Sequence, residues 1–248
     1  MSEHYRLRTL PVGFELQPGF HGAPEEGMCA LEAVAWMAGL PHSDQPPCIC
    51  PVIATLLRAM NDRMTHFHRQ GLIPFLPRIA GTKQTDLDRP RAEALAWRAL
   101  TVFVPVPLAV ARLLEPAAAF TRLPGDDLEA AARTVGQATV SINQAAWAEA
   151  KANGSRCWDI TAKVSEPLWV SVEVGRLAET AVSQLAGDCE PSELATTAAR
   201  IIVAACRFDR SAWRPALETL DRLLEIRLGY GSIQDLEEVR GRPAVRAA

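Results

Sequence analysis

The sequence predicts an all-α protein, an irregular assembly of roughly eight to ten helices with room for one short N-terminal strand. Three observations carry this. Long stretches repeat apolar residues at helical spacing; prolines and glycines sit where helices start and stop; and strand-like alternation is nearly absent. With 248 residues, 48% of them apolar, the chain is long enough to bury a large core.

Taken in order, "RLRTLPVGFEL" near the start is the candidate edge strand. Pro24, Glu25 and Glu26 suit the first turn of a helix, with Gly27 as the other candidate start; Gly39 and Pro41 suit its end. Within it Met28, Leu31, Val34, Ala35 and Ala38 form a core stripe, and Cys29, Glu32 and Trp36 lie on the adjacent one. Pro51 opens a second helix, "PVIATLLRAMNDRM", and a short connection predicts that the two fold back on each other. Asn61-Asp62 reads as its C-terminal cap.

Further on, "EALAWRALTVF" places Leu95, Leu100 and Phe103 on one face. The long helix after Asp126 starts with a capping-box variant, Glu129 three residues on, and stops at Asn153-Gly154. "LWVSVEV" alternates like a strand, but a lone strand has no partner and the stretch runs on into "GRLAETAVSQLAG", so helix is expected. Pro191 opens a helix carrying Leu194, Ala198, Ile201, Ile202 and Ala205. The last helix is expected from Pro215 to Gly229, with Leu217, Leu220, Leu224 and Leu228 on one side. The polar, turn-rich "GTKQTDLDRP" marks a lobe boundary, giving an N-terminal lobe over residues 1–85, a C-terminal lobe over 86–238 and a frayed tail over 239–248.

Composition narrows the function classes. A net charge of −3 and interleaved acids and arginines give no reason to bind nucleic acid. Lys83, Lys151 and Lys163 are the only lysines. No uncharged apolar stretch approaches the roughly 18–20 residues of a membrane span, and the first residues lack a secretory pattern, so a cytoplasmic protein away from the membrane is expected. Six cysteines in such a chain do not read as a disulfide framework; Cys157, Cys189 and Cys206 are expected as small core residues.

All five histidines fall within the first 68 residues, as do Cys29, Cys48 and Cys50. Three readings of this cluster compete. Cys29, His42, Cys48 and Glu32, with Asp44 or Cys50 as substitutes for the acid, could hold a zinc ion, although C-x12-H-x5-C is no standard finger. Alternatively Cys48 or Cys50, ahead of a helix N-terminus, is a nucleophile with His42 as base and Asp44 as orienter. In the third and leading reading the thiols are buried small residues, and His42 and Asp44 satisfy the loop backbone. His66 and His68, two apart, do not share a helix face and are expected at the surface.

Gly27, Cys29, Glu32 to Ala35, Ser43, Asp44, Pro46, Cys48, Pro51 to Ile53, Asn61, Asp62, Gly81 and Thr82 together resemble a pattern shared by a family of bacterial and phage-borne proteins, G-x-C-x-x-E-A-V-A followed by S-D-x-P-x-C-x-x-P-V-I. The resemblance covers about the first third of the chain and implies no activity. It implies that Cys29, Glu32, Asp44 and Cys48 work as one unit. The expectation is therefore a helical interaction or regulatory protein, of mobile-element origin, whose partner is another protein; Trp97, Trp147, Trp158, Trp169 and Trp213 are candidate anchors. The alternative is a metal-assisted or thiol-dependent enzyme built on Cys29, His42 and Cys48.

Overall fold

The computed structural model describes residues 7–155 and 163–226. Among them the architecture is all-α, in the order α1 (Ala30–Met37), α2 (Pro51–Arg63), α3 (His66–Gln70), α4 (Leu76–Ile79), α5 (Asp88–Arg98), α6 (Pro105–Val110), α7 (Leu114–Thr121), α8 (Leu128–Ala152), α9 (Glu166–Ala186), α10 (Pro191–Phe208) and α11 (Trp213–Glu225). The expected N-terminal strand does not form among the described residues. Its place is taken by one isolated parallel bridge between Leu16 and Met28, because prolines at 11 and 18 and two positive-φ glycines interrupt any longer ladder.

α10 is the hub, packed against α2, α5 and α9. Leu194, Ala198, Ile201, Ile202 and Ala205 along it are all buried, as its periodicity requires. α8 and α9 pack along each other, and Gly175 lets them approach closely: a Cβ there would lie 3.4 Å from Ile142 Cδ1 and 3.5 Å from Thr139 Oγ1. The "LWVSVEV" stretch forms the first half of α9. One hydrophobic core runs from Leu16 to Ile226, and residues on both sides of position 85 contribute to it.

Boundaries move where local chemistry outweighs periodicity. Pro24–Glu26 forms only a 3-10 turn, and Gly27 at φ +123° breaks the chain before α1. α8 is capped by Asp127, whose side chain accepts from the Ala130 N–H, one residue later than expected. α11 starts at Trp213, ahead of Pro215, since first-turn N–H groups have no intrahelical partner to lose. It ends at Glu225; Leu228, Gly229 and the expected tail lie outside the described residues, as do Cys157 and Trp158.

Between α5 and α6 the helix widens into a π turn over Ala99–Phe103, with Val104 N–H donating to Ala99 O at 3.0 Å. Pro105 and Pro107 carry no N–H, so the regular i to i−4 ladder cannot continue through them. The run Thr85–Val110 is, by length and composition, apolar enough to cross a membrane, and half of its most apolar stretch is buried in the molecule. Arg91 ties this run to the end of α11, donating to Thr82 O at 2.8 Å, Leu223 O at 3.3 Å and Ile226 O at 3.2 Å.

Candidate functional site

The N-terminal segment 16–29 lies across α1 and α2, and its backbone polar groups are met by side chains of α1, α2 and α3. Gln70 grips Leu16 twice, accepting from its N–H at 2.8 Å and donating to its carbonyl at 3.1 Å. Asn61, almost fully buried, donates to Gln17 O at 3.0 Å and accepts from Ala30 N–H at 3.1 Å. Asp62 accepts from Gly19 N–H at 3.0 Å. Asn61-Asp62 therefore does more than end α2: it holds a loop more than forty residues upstream.

Glu32 is the centre of this arrangement, with no solvent exposure. It accepts from His21 N–H and Cys29 N–H, both at 2.7 Å, and its Oε2 lies 2.8 Å from His21 Nδ1. Cys29 is the N-cap of α1, and its Sγ accepts from Glu32 N–H at 3.5 Å, a capping box with a thiol where serine is usual. His42 Nε2 lies 2.9 Å from His21 O and 3.8 Å from Glu32 Oε1. Burial drives the Glu32 carboxyl upward, but the hydrogen bonds from the His21 and Cys29 backbone and side chains outweigh it and hold the group below the usual carboxylate range.

Of the candidate zinc set, Cys29, Glu32 and His42 come together, with His21 as an unforeseen fourth. Cys48 belongs to a different neighbourhood. Its carbonyl accepts from Lys83 N–H at 3.1 Å, and its thiol lies beside the Gly81 backbone. Cys50 N–H donates to Thr82 Oγ1 at 3.1 Å, and Cys50 Sγ donates to Asp88 Oδ1 at 3.0 Å. Among the described residues no three His, Cys, Asp or Glu side chains are grouped to hold a metal ion. The carboxylate of Glu32 is already occupied by donors, which leaves it little capacity as a zinc ligand.

Burial disfavours the thiolate at Cys29, Cys48 and Cys50. Burial pushes Cys29 up to about 12, and the neighbouring Glu32 charge adds to the shift. Burial also raises Cys48, as it does Cys50, whose bond to Asp88 acts in the same direction. Neither has the depressed pKa of a nucleophile.

Beside this clamp of Glu32, Asn61 and Asp62 on the incoming loop is a cavity of about 140 Å³ lined by Phe20, Cys29, Asp44, Arg58, Asn61 and Asp62 among others. Arg58 is turned to Asp44, donating to its carbonyl at 2.9 Å, with Nε 3.8 Å from its carboxylate. Phe20 is the neighbour of both clamped residues, Gly19 and His21, yet 67% of it is exposed. His66 is exposed, as expected, while His68 pairs with the α3 N-cap, its Nδ1 2.7 Å from Thr65 Oγ1. Of the tryptophans, Trp213 is core and Trp147 is exposed.

Neither His21 nor Phe20 was singled out from sequence. The usable signal was Cys29-x-x-Glu32, a capping-box spacing that places a carboxylate at the start of α1, where an incoming loop must be met. No protein-family model, curated protein or solved structure gives a significant match to the chain.

Proposed function

We propose that the chain is a helical interaction protein whose recognition element is the loop at Gly19–His21. The observation that supports this is the contrast at Phe20. Asp62 and Glu32 fix the backbone on each side of it, and the aromatic ring is nevertheless left in solvent at the edge of a cavity. A loop ordered in advance loses little conformational entropy on binding, and an exposed aromatic beside a cavity has the composition of an interface anchor. A cytosolic setting and a mobile-element origin fit this reading. The pattern residues Gly27, Cys29, Glu32, Asp44, Asn61 and Asp62 then serve one purpose, building the loop and the cavity beneath it.

A thiol-dependent enzyme is the second reading, favoured by the meeting of Cys29, Glu32, His21 and His42 at one place. It requires a conformation in which the Cys29 thiol is ionised.

The test is quantitative cross-linking mass spectrometry in the native host, comparing the wild-type chain with Phe20→Ala. A protein partner cross-linked to the 19–21 loop and lost in the variant is the expected result. Identical cross-links for the two chains would reject Phe20 as the anchor.

A further inference from the structure

We infer that the cavity beside Phe20 receives a cationic side chain, lysine or arginine, presented by the protein partner; this rests on the interaction reading above. The cavity is a preformed space with unbalanced charge. Two carboxylates, Asp44 and Asp62, and one guanidinium, Arg58, line the cavity. Arg58 is spent on Asp44, through the 2.9 Å bond to its carbonyl and the 3.8 Å approach to its carboxylate.

Asp62 is served only by neutral donors, Gly19 N–H at 3.0 Å and Asn61 Nδ2 at 3.2 Å on the same oxygen. It forms no ion pair among the described residues. Arg69, which feels its charge, is turned to the carbonyls of Asn61 at 2.7 Å and Met64 at 2.8 Å. The lining therefore carries one negative charge in excess, next to an exposed aromatic ring.

That combination selects a cation on an aliphatic stem. An ammonium or guanidinium gains from Asp62 and from the face of Phe20, while its methylenes lie against Leu31 and Cys29 in the cavity wall. An acidic side chain would meet the two carboxylates, and a neutral one would leave Asp62 without an ion pair.

The test uses the full chain and short capped peptides, Gly-Arg-Gly and Gly-Lys-Gly against Gly-citrulline-Gly and Gly-Glu-Gly, followed by amide NMR shifts. The Arg and Lys peptides should move the Gly19, Phe20 and Asp62 resonances, and the other two should not. Asp62→Asn keeps an acceptor for Gly19 N–H, so its spectrum should stay native while affinity for the cationic peptides drops about tenfold. Equal binding of the citrulline peptide, or no shift with any peptide, would overturn the inference. A partner lost with Phe20→Ala but fully retained by Asp62→Asn would sink the cationic assignment alone and leave the interaction reading standing.

Discussion

Glu32 Oε2 lies 2.8 Å from His21 Nδ1 and 2.7 Å from Cys29 N–H, so one buried carboxylate joins the incoming loop to the first turn of α1. Its other oxygen takes His21 N–H. Truncation to alanine would strand two backbone donors and an imidazole in a largely buried site. Glu32→Ala is therefore expected to destabilise the fold by about 3 kcal/mol. Glu32→Gln, which keeps one acceptor oxygen, should cost less. Urea unfolding of both variants decides this; equal, negligible losses would show that the carboxylate is not a structural centre.

The same group sets an acid limit. Because the folded protein holds Glu32 below its ordinary value of 4.5, the unfolded chain takes up the proton first as pH falls. The resulting stabilisation is fully present above that ordinary value and is lost as pH drops through the folded-state value. Melting temperature should fall more steeply below about pH 4.5 in wild type than in Glu32→Gln. Parallel acid profiles for the two proteins would contradict the assignment.

Much of the fold was legible because helix signals are local. Pro191 and the Leu194 to Ala205 periodicity define α10 on their own, and the absence of a partner strand correctly turned "LWVSVEV" into helix. The clamp was legible only in part. Cys29, Glu32 and His42 drew notice by residue type, but what they hold is backbone. Glu32 meets His21 across 11 residues, and Asn61 meets Gln17 across 44. Side-chain periodicity says nothing about which distant N–H or carbonyl a polar residue will satisfy, so Asn61 passed for a helix cap. Cys48 was grouped with Cys29 on the expected fold-back of α1 and α2, whereas the loop between them delivers it to Gly81 and Lys83.

Gly27 links the clamp to the chain's path. It sits at φ +123°, and an added Cβ would come within 3.1 Å of Gln17 Cγ and 3.3 Å of the His21 ring. The His21 ring is held by Glu32 and does not yield easily. Gly27→Ala should cost about 2 kcal/mol through backbone strain and crowding together. Gly13→Ala is the control, because it shares a positive φ but meets nothing within 4 Å. Thermal melts should place Gly27→Ala well below Gly13→Ala; matched melts would mean that the His21 contact carries no weight.

The thiols give a test of the enzyme reading. Cys29 and Cys206 are buried and each pushed up to about 12 by desolvation, while Cys48 and Cys50 are buried and raised in the same direction. Cys189 is the partly exposed thiol of the described set, with Arg89 Nη1 4.0 Å from its sulfur. Reaction with an alkylating probe follows thiolate fraction and access together. In the native chain Cys189 should therefore label at least about tenfold faster than Cys29, as read by peptide mapping, which resolves each cysteine separately. Labelling of Cys29 ahead of Cys189 would mean that the clamp opens to expose an ionised thiol. The meeting of Cys29, Glu32, His21 and His42 would then belong to catalysis, and Phe20 would lose its claim as the functional centre.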